Sequence, residues 1–137
     1  MKKIIYLADP EIISIPILEC QEVMLDLKNQ GELQFGPPPE TPLTEPHYTK
    51  LRKSVFEKLC QAQKDLPSGW RFRIYEAFRS LEVQKMLFDQ EYEKAAKNSD
   101  SKTHAELFYE ATRLASPVIN LDGSKNIPPH TQYRGCR

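Results

Sequence analysis

The chain lacks most of the short motifs that mark a catalytic or nucleotide-binding protein. Its 137 residues contain no G-x-S-x-G nucleophile elbow, no Walker loop, no G-x-G-x-x-G fingerprint and no H-E-x-x-H. Its three cysteines, Cys20, Cys60 and Cys136, form no C-x-x-C pair, so they indicate neither a zinc knuckle nor a disulfide framework. A buried structural role is the default expectation for such cysteines.

The chain also lacks an excess of charge and a long apolar run. Lys+Arg and Asp+Glu both number 19, so no positive field gathers nucleic acid or an anionic membrane. The apolar N-terminal run is broken at Asp9, too early for a secretory signal, and no stretch approaches the length of a membrane span. We therefore expect a single globular domain over residues 1–137, located in the cytoplasm, with neither nucleic acid nor membrane as partner.

The hydrophobic pattern predicts an α+β fold. Short apolar runs interrupted by prolines over residues 4–25 favour short strands and extended segments. Five prolines within residues 36–47 predict a polyproline-like surface loop, which serves as a connector or, alternatively, as a ligand for a proline-recognising module. Three helices follow from apolar stripes at spacings of three and four. Their predicted ranges are Thr49–Leu66, Ser80–Asn98 and Thr103–Ala115.

The segment Trp70–Arg79 changes to a period of two and predicts a strand, with Phe72, Ile74, Glu76 and Phe78 on one face. Arg79 ends this strand directly before Ser80, the predicted N-cap of the next helix. A guanidinium there can bind a carboxylate or stabilise an oxyanion. The alternative is a surface arginine paired with Glu76 or Glu82.

The three histidines differ in their sequence context. His47 follows Glu45-Pro46 and is expected to be exposed. His104 precedes Glu106 in an H-x-E pair, but no P-C-x-x-C follows, so a zinc deaminase is not indicated. His130 follows an Asp122-Gly123 turn signal and two prolines that restrict the backbone, which suits a metal ligand as well as an ordinary loop.

Several of these segments, taken in order, resemble the VanX-type D-alanyl-D-alanine dipeptidases, zinc enzymes of the D,D-peptidase/Hedgehog fold. Tyr75-Glu-Ala-Phe-Arg-Ser80 resembles their aromatic-Arg motif, and Ser116–His130 resembles their approach to the first metal ligand. Asp26–Gly36 is similar to the early part of one branch. The resemblance spans roughly residues 22–130 and implies a small antiparallel sheet with flanking helices.

The resemblance also implies a mechanism and two site residues. In the family, His, Asp and His hold a zinc ion whose fourth position is open for water, and a glutamate takes the proton of that water. Arg79 stands where the family has the arginine that stabilises the tetrahedral intermediate, and His130 where it has the first zinc ligand. The implied substrate is a small D,D-dipeptide of cell-wall metabolism.

The resemblance stops after His130. The family has an Asp seven positions further on, whereas this chain has Arg137 there, and the other ligands have no counterpart. We interpret the chain as C-terminally truncated, without the last strands of the fold, inactive as it stands and of low stability. A frameshift is our hypothesis for the cause. Codons can be chosen for Gln132–Arg137 that encode Asn-Thr-Gly-Gly-Ala-Val when the reading frame is shifted by one base, and this run is close to the family's segment between the first His and the Asp. The alternative is a non-catalytic peptide-binding protein that uses the front half of the fold.

Overall fold

The structure, a computed structural model, describes residues 4–6, 9–15, 20–39, 41–98 and 102–126. These residues form four α-helices and four short strands, which confirms the predicted α+β class. The helices are α1 (Pro10–Ile13), α2 (Lys53–Gln63), α3 (Leu81–Lys97) and α4 (His104–Ala111), and the strands are β1 (Met24–Asp26), β2 (Gln34–Phe35), β3 (Lys50–Arg52) and β4 (Arg73–Ile74). The described residues belong to two compact units. One unit contains residues 20–80, and the other contains residues 81–126 together with the described residues before residue 20. No described helix is long and apolar enough to cross a bilayer.

The unit of residues 20–80 contains two sheets of two strands each. Strands β1 and β3 pair antiparallel, with Leu25 opposite Leu51, as the expectation of an antiparallel sheet requires. Strands β2 and β4 pair in parallel, with Phe35 opposite Ile74, so that expectation is wrong for the second pair. Buried Leu27, Leu33 and Leu51 form the core of this unit together with half-buried side chains of α2 and β4.

The predicted strand Trp70–Arg79 is reduced to the two residues of β4, so the prediction is wrong for most of its length. A strand persists only where a partner accepts and donates its backbone hydrogen bonds. The partner here is β2, with Gln34 N donating to Phe72 O at 3.1 Å and Gly36 N to Ile74 O at 3.0 Å. Past β4 the chain leaves the sheet, and Ala77 N donates to Tyr48 O at 2.7 Å.

Helix α2 begins four residues later than predicted because Lys50–Arg52 pairs with β1 as strand β3. The Glu22 carboxylate accepts hydrogen bonds from the backbone N–H and the hydroxyl of Ser54, which satisfies a donor of the first helical turn. The packed face of α2 carries Phe56, Leu59 and Cys60. Val55 is exposed, although its spacing of four from Leu51 and from Leu59 predicts that it faces inward.

Two further predictions about irregular segments need correction. Residues 10–13 form the helical turn α1 rather than a strand, and it begins at Pro10, where a missing N–H carries no cost. The described part of the proline-rich loop, 36–39 and 41–47, contains a 3-10 turn over Pro42–Thr44. Thr44 is buried there and donates to Pro39 O at 2.8 Å, so the loop is packed in part rather than lying wholly on the surface.

The second unit is built on the contact of α3 with α4. Phe88 and Phe108 meet with their ring centroids 5.1 Å apart, and Ala111 and Ala115 complete the cluster. A capping box of Thr103 and Glu106 starts α4, and the helix ends at Ala111. The predicted helix continues to Ala115 with Leu114 inward, but the chain has left the helix there and Leu114 is 76% exposed.

A small hairpin follows α4 over residues 118–126 and contains the predicted Asp122-Gly123 turn. Asn120 N donates to Ser124 O at 2.8 Å, and Ile119 bridges to Lys125. Gly123 adopts a φ of 83°, which glycine tolerates without strain. The segment leading to His130 is therefore folded as far as Asn126.

Candidate functional site

The Arg79 guanidinium is held by a carboxylate three residues earlier in the chain. Its Nε donates to Glu76 Oε2 at 2.9 Å and to Oε1 at 3.1 Å, and its Nη2 also donates to Oε2. The side chain of Glu76 is 11% exposed and that of Arg79 is 25% exposed, so the pair is screened only in part by water. Of the two partners that the alternative named, Glu76 is the one observed, but Arg79 is only partly exposed rather than at the surface.

The backbone around this ion pair is fixed by the segment that precedes β3. Besides the bond from Ala77 N to Tyr48 O, the His47 ring meets the Phe78 ring edge-on, with centroids 5.9 Å apart. His47 is half-buried, so the expectation of an exposed His47 is wrong. The contact joins residues 31 positions apart, and nothing in the sequence around either residue signals it.

Tyr48, the anchor for this segment, is itself held in place by a cation. The Tyr48 ring is 3% exposed, and Lys28 Nζ lies 5.6 Å from its centroid. Lys28 Nζ also donates to Glu45 at 3.1 Å, and this hydrogen bond raises the pKa of Lys28. The backbone around Arg79 is therefore held in place by contacts with residues that are distant in the sequence.

This arrangement offers a guanidinium that can bind an anion. A guanidinium keeps its charge at every physiological pH and offers five N–H donors in a fixed plane. Glu76 takes the Nε edge of Arg79 and fixes the direction in which the plane faces. The chemistry available at Arg79 is the binding of a carboxylate or the stabilisation of an oxyanion.

The second predicted site residue, His130, lies outside the described residues, as does Cys136. Within the described ranges, no group of three or more His, Cys, Asp and Glu side chains is placed to hold a metal ion. The residues described thus do not make up the implied zinc site, and no catalytic step through zinc follows from them.

The other candidate side chains have structural partners. His104 Nδ1 lies 2.7 Å from Tyr92 OH, and their rings are 5.5 Å apart, so this pair joins α4 to α3. Cys60 is half-buried, and burial raises the pKa of its thiol. Cys20 is exposed, contrary to the default expectation, and accepts a hydrogen bond from Arg52 Nη1 at 3.3 Å.

No protein-family model, no curated protein and no solved structure matches this chain.

Proposed function

We propose that this chain is a member of the VanX-type zinc D-alanyl-D-alanine dipeptidases, in which Arg79 contacts the reacting dipeptide. The observation that carries the proposal is the Tyr75–Ser80 segment, which combines the family's aromatic-Arg pattern with a guanidinium anchored by Glu76. The substrate is a small D,D-dipeptide of cell-wall metabolism, and the expected location is the cytoplasm.

Arg79 contributes a fixed positive charge to this reaction. Negative charge develops on the carbonyl oxygen of the peptide bond as the tetrahedral intermediate forms. A cation that is already oriented stabilises this charge without reorganising, which is the largest single source of rate enhancement in many acyl-transfer enzymes. Glu76 acts as a positioning residue, since its carboxylate holds the guanidinium by two donor nitrogens.

Zinc supplies the activated water when it is bound, and His130 is the one residue of this chain assigned to hold it. A single imidazole binds zinc too weakly for a catalytic site. The 137-residue polypeptide by itself is therefore expected to leave D-Ala-D-Ala intact.

The proposal is tested first on the gene. If the nucleotide sequence after codon 131 has a neighbouring frame that encodes the missing Asp and then Glu-x-x-His, the polypeptide with that continuation is produced. It is expected to bind one zinc ion per chain and to release D-alanine from D-Ala-D-Ala but not L-alanine from L-Ala-L-Ala. The family assignment would be contradicted if every reading frame reached a stop codon at once. It would also be contradicted if the continued polypeptide neither bound zinc nor hydrolysed D-Ala-D-Ala.

Substitution of Arg79 tests the residue itself in that continued polypeptide. Arg79→Ala is expected to lower kcat/KM by about 10²–10³, as removal of an oxyanion donor does. Glu76→Gln is expected to lower it by roughly tenfold, because the guanidinium keeps its charge but loses its anchor. The matched control is Arg113→Ala, which removes an exposed arginine from the turn after α4 and is expected to leave kcat/KM unchanged.

The alternative is a non-catalytic peptide-binding protein that holds a peptide carboxylate with Arg79. Such a protein neither binds zinc nor turns over substrate, yet the 137-residue polypeptide retains affinity for D-Ala-D-Ala. Calorimetry of the wild type and Arg79→Ala distinguishes the two functions, since only the binding protein loses a measurable affinity on substitution.

A further inference from the structure

An open cavity of about 770 Å³, with most of its lining residues exposed, lies where α2 ends, within the unit of residues 20–80. One wall is formed by Gly31 and Glu32, and the other by the turn from Pro67 to Arg71. This volume is within the range of small-molecule sites, which is roughly 300–1,000 Å³. Arg79 is not among the residues that line the cavity, so a ligand here would be distinct from the proposed dipeptide.

The two walls are tied together by one side chain. Gln63 Nε2 donates to Glu32 O at 2.9 Å, and Gln63 Oε1 accepts from Phe72 N at 2.9 Å. The turn is closed by Trp70 N, which donates to Pro67 O at 3.0 Å. These hydrogen bonds hold the backbone on the two sides of the cavity in place before a ligand binds.

The lining combines an exposed aromatic ring with an excess of cations. Trp70 is 69% exposed, although a tryptophan is among the side chains that gain most from burial. Arg71 has neither an ion pair nor a hydrogen bond from its side chain to any other residue that the structure describes. Among the residues that the structure describes, Lys64 Nζ donates to the neutral amide of Gln61, at 3.2 Å, and Glu32 provides the carboxylate of the lining.

The cavity lining also includes side chains that are apolar or uncharged. Leu66 and Cys60 add apolar surface, and because burial raises the pKa of Cys60, the thiol adds no negative charge at neutral pH. The cavity therefore offers a ring to stack on, an apolar floor and two cations against one anion.

We propose that this cavity binds a small molecule that carries a planar ring and an anionic group. The ring stacks on the Trp70 indole, and the carboxylate or phosphate contacts Arg71 and Lys64. Stacking and the charge-assisted hydrogen bonds act on different parts of the ligand, so neither the ring nor the anion alone is bound well. This binding site goes beyond the proposed dipeptidase function and does not depend on it.

The fluorescence of Trp70 can report ligand binding at the cavity, because Trp70 is the single tryptophan of the 137-residue chain. Indole fluorescence is recorded during titration with adenosine monophosphate, which has both groups, with adenosine, which has the ring, and with inorganic phosphate, which has the anion. Excitation at the red edge of the indole band avoids absorption by adenine. We expect saturable quenching by the monophosphate and at least tenfold weaker binding of adenosine and of phosphate.

Substitution of the cations completes the test. Arg71→Ala and Lys64→Ala are each expected to weaken binding of the monophosphate by about tenfold, whereas Lys58→Ala, an exposed lysine of α2 outside the lining, leaves it unchanged. Circular dichroism verifies that each variant is folded. If Arg71→Ala does not fold, the result for Lys64→Ala decides whether the cations contribute to binding. The proposal is overturned if the monophosphate gives no saturable change, if adenosine or phosphate binds as tightly, or if the folded variants bind like the wild type.

Discussion

At the scale of single residues, three glutamine amides, of which only Gln84 is buried, make hydrogen bonds to the backbone that the apolar pattern does not predict. The Gln30 side chain makes four hydrogen bonds to the backbone of residues 27, 32 and 33, at 2.8–2.9 Å. Gln63 links two walls of the cavity, and Gln84, which is 1% exposed, donates to Ser116 O at 2.6 Å. Glutamine is usually exposed, so a sequence pattern places such side chains on the surface and misses these links.

The Gln84 link gives a direct test of this role. Gln84→Leu keeps the volume of the side chain but leaves Ser116 O without the amide donor that it has in the structure. We expect a loss of about 1–3 kcal/mol in the free energy of unfolding, measured by urea denaturation, because a buried acceptor loses its partner. Gln90→Leu, an exposed position on the same helix, is the control and is expected to change it by less than about 0.5 kcal/mol. Equal effects of the two substitutions would argue against the link.

The candidate site shows the same division between local and distant contacts. The partner of Arg79 could be anticipated because Glu76 is only three residues away. A strand would place the two side chains on opposite faces, so their contact depends on the chain leaving β4 before residue 76. The packing of His47 on Phe78 could not, because it depends on how the chain returns past β3. Whether Arg79 and His130 act together stays a prediction.

At the scale of elements, helices follow from the sequence better than strands do. The helix predicted for Ser80–Asn98 is found as Leu81–Lys97, whereas a predicted strand of ten residues is found as two. A helix satisfies its hydrogen bonds within its own segment, so a local pattern is sufficient. A strand depends on a partner, and β2 offers only Gln34–Phe35. The length of β4 is thus set elsewhere in the chain.

The capping box of α4 makes the stability of that element depend on pH. The backbone hydrogen bond from Thr103 and the bond from its hydroxyl lower the pKa of Glu106 below its ordinary value. Because the folded pKa is depressed, this stabilisation is present above the pKa of an unfolded glutamate and is lost as the pH falls through the lowered folded value.

We therefore expect Thr103→Ala to lower the free energy of unfolding by about 1 kcal/mol at neutral pH, as loss of an N-cap does. The difference from the wild type should shrink on acidification to about pH 3, measured by denaturation followed by circular dichroism. Glu106→Gln should remove this part of the pH dependence, while Glu93→Gln, an exposed carboxylate of α3, should retain it. A pH-independent difference would show that the Thr103 hydroxyl does not stabilise the ionised Glu106 carboxylate.

At the scale of the whole molecule, the described residues hold two small clusters of buried apolar side chains. One contains Leu27, Leu33 and Leu51, and the other contains Phe88 and Phe108 with two alanines. Several large apolar side chains elsewhere are exposed, among them Leu114 at 76% and Trp70 at 69%. Small cores bury little apolar area against the entropy of ordering the chain. Low stability of the 137-residue polypeptide is therefore expected from the small size of these clusters.

The expected measurement is a broad thermal transition. The midpoint for the 137-residue polypeptide should lie below about 45 °C, the lower limit for ordinary mesophilic domains. Circular dichroism follows the helices, and Trp70 fluorescence follows the unit of residues 20–80. Added zinc should not raise the midpoint, because one assigned ligand does not make a stable site. A cooperative transition at high temperature, or a large shift on adding zinc, would contradict this account.

The parallel pairing of β2 with β4 also has a consequence for the order in which the chain folds. The pair joins Phe35 to Ile74, which are 39 positions apart, with α2 between them. Closing so long a loop costs entropy before any contact compensates for it, whereas α2 forms from neighbouring residues within microseconds. The helix should therefore be present when the two strands meet. The same pair should be the first to separate, so the amide protons of Gln34 and Gly36 exchange with solvent earlier than those in the middle of α2.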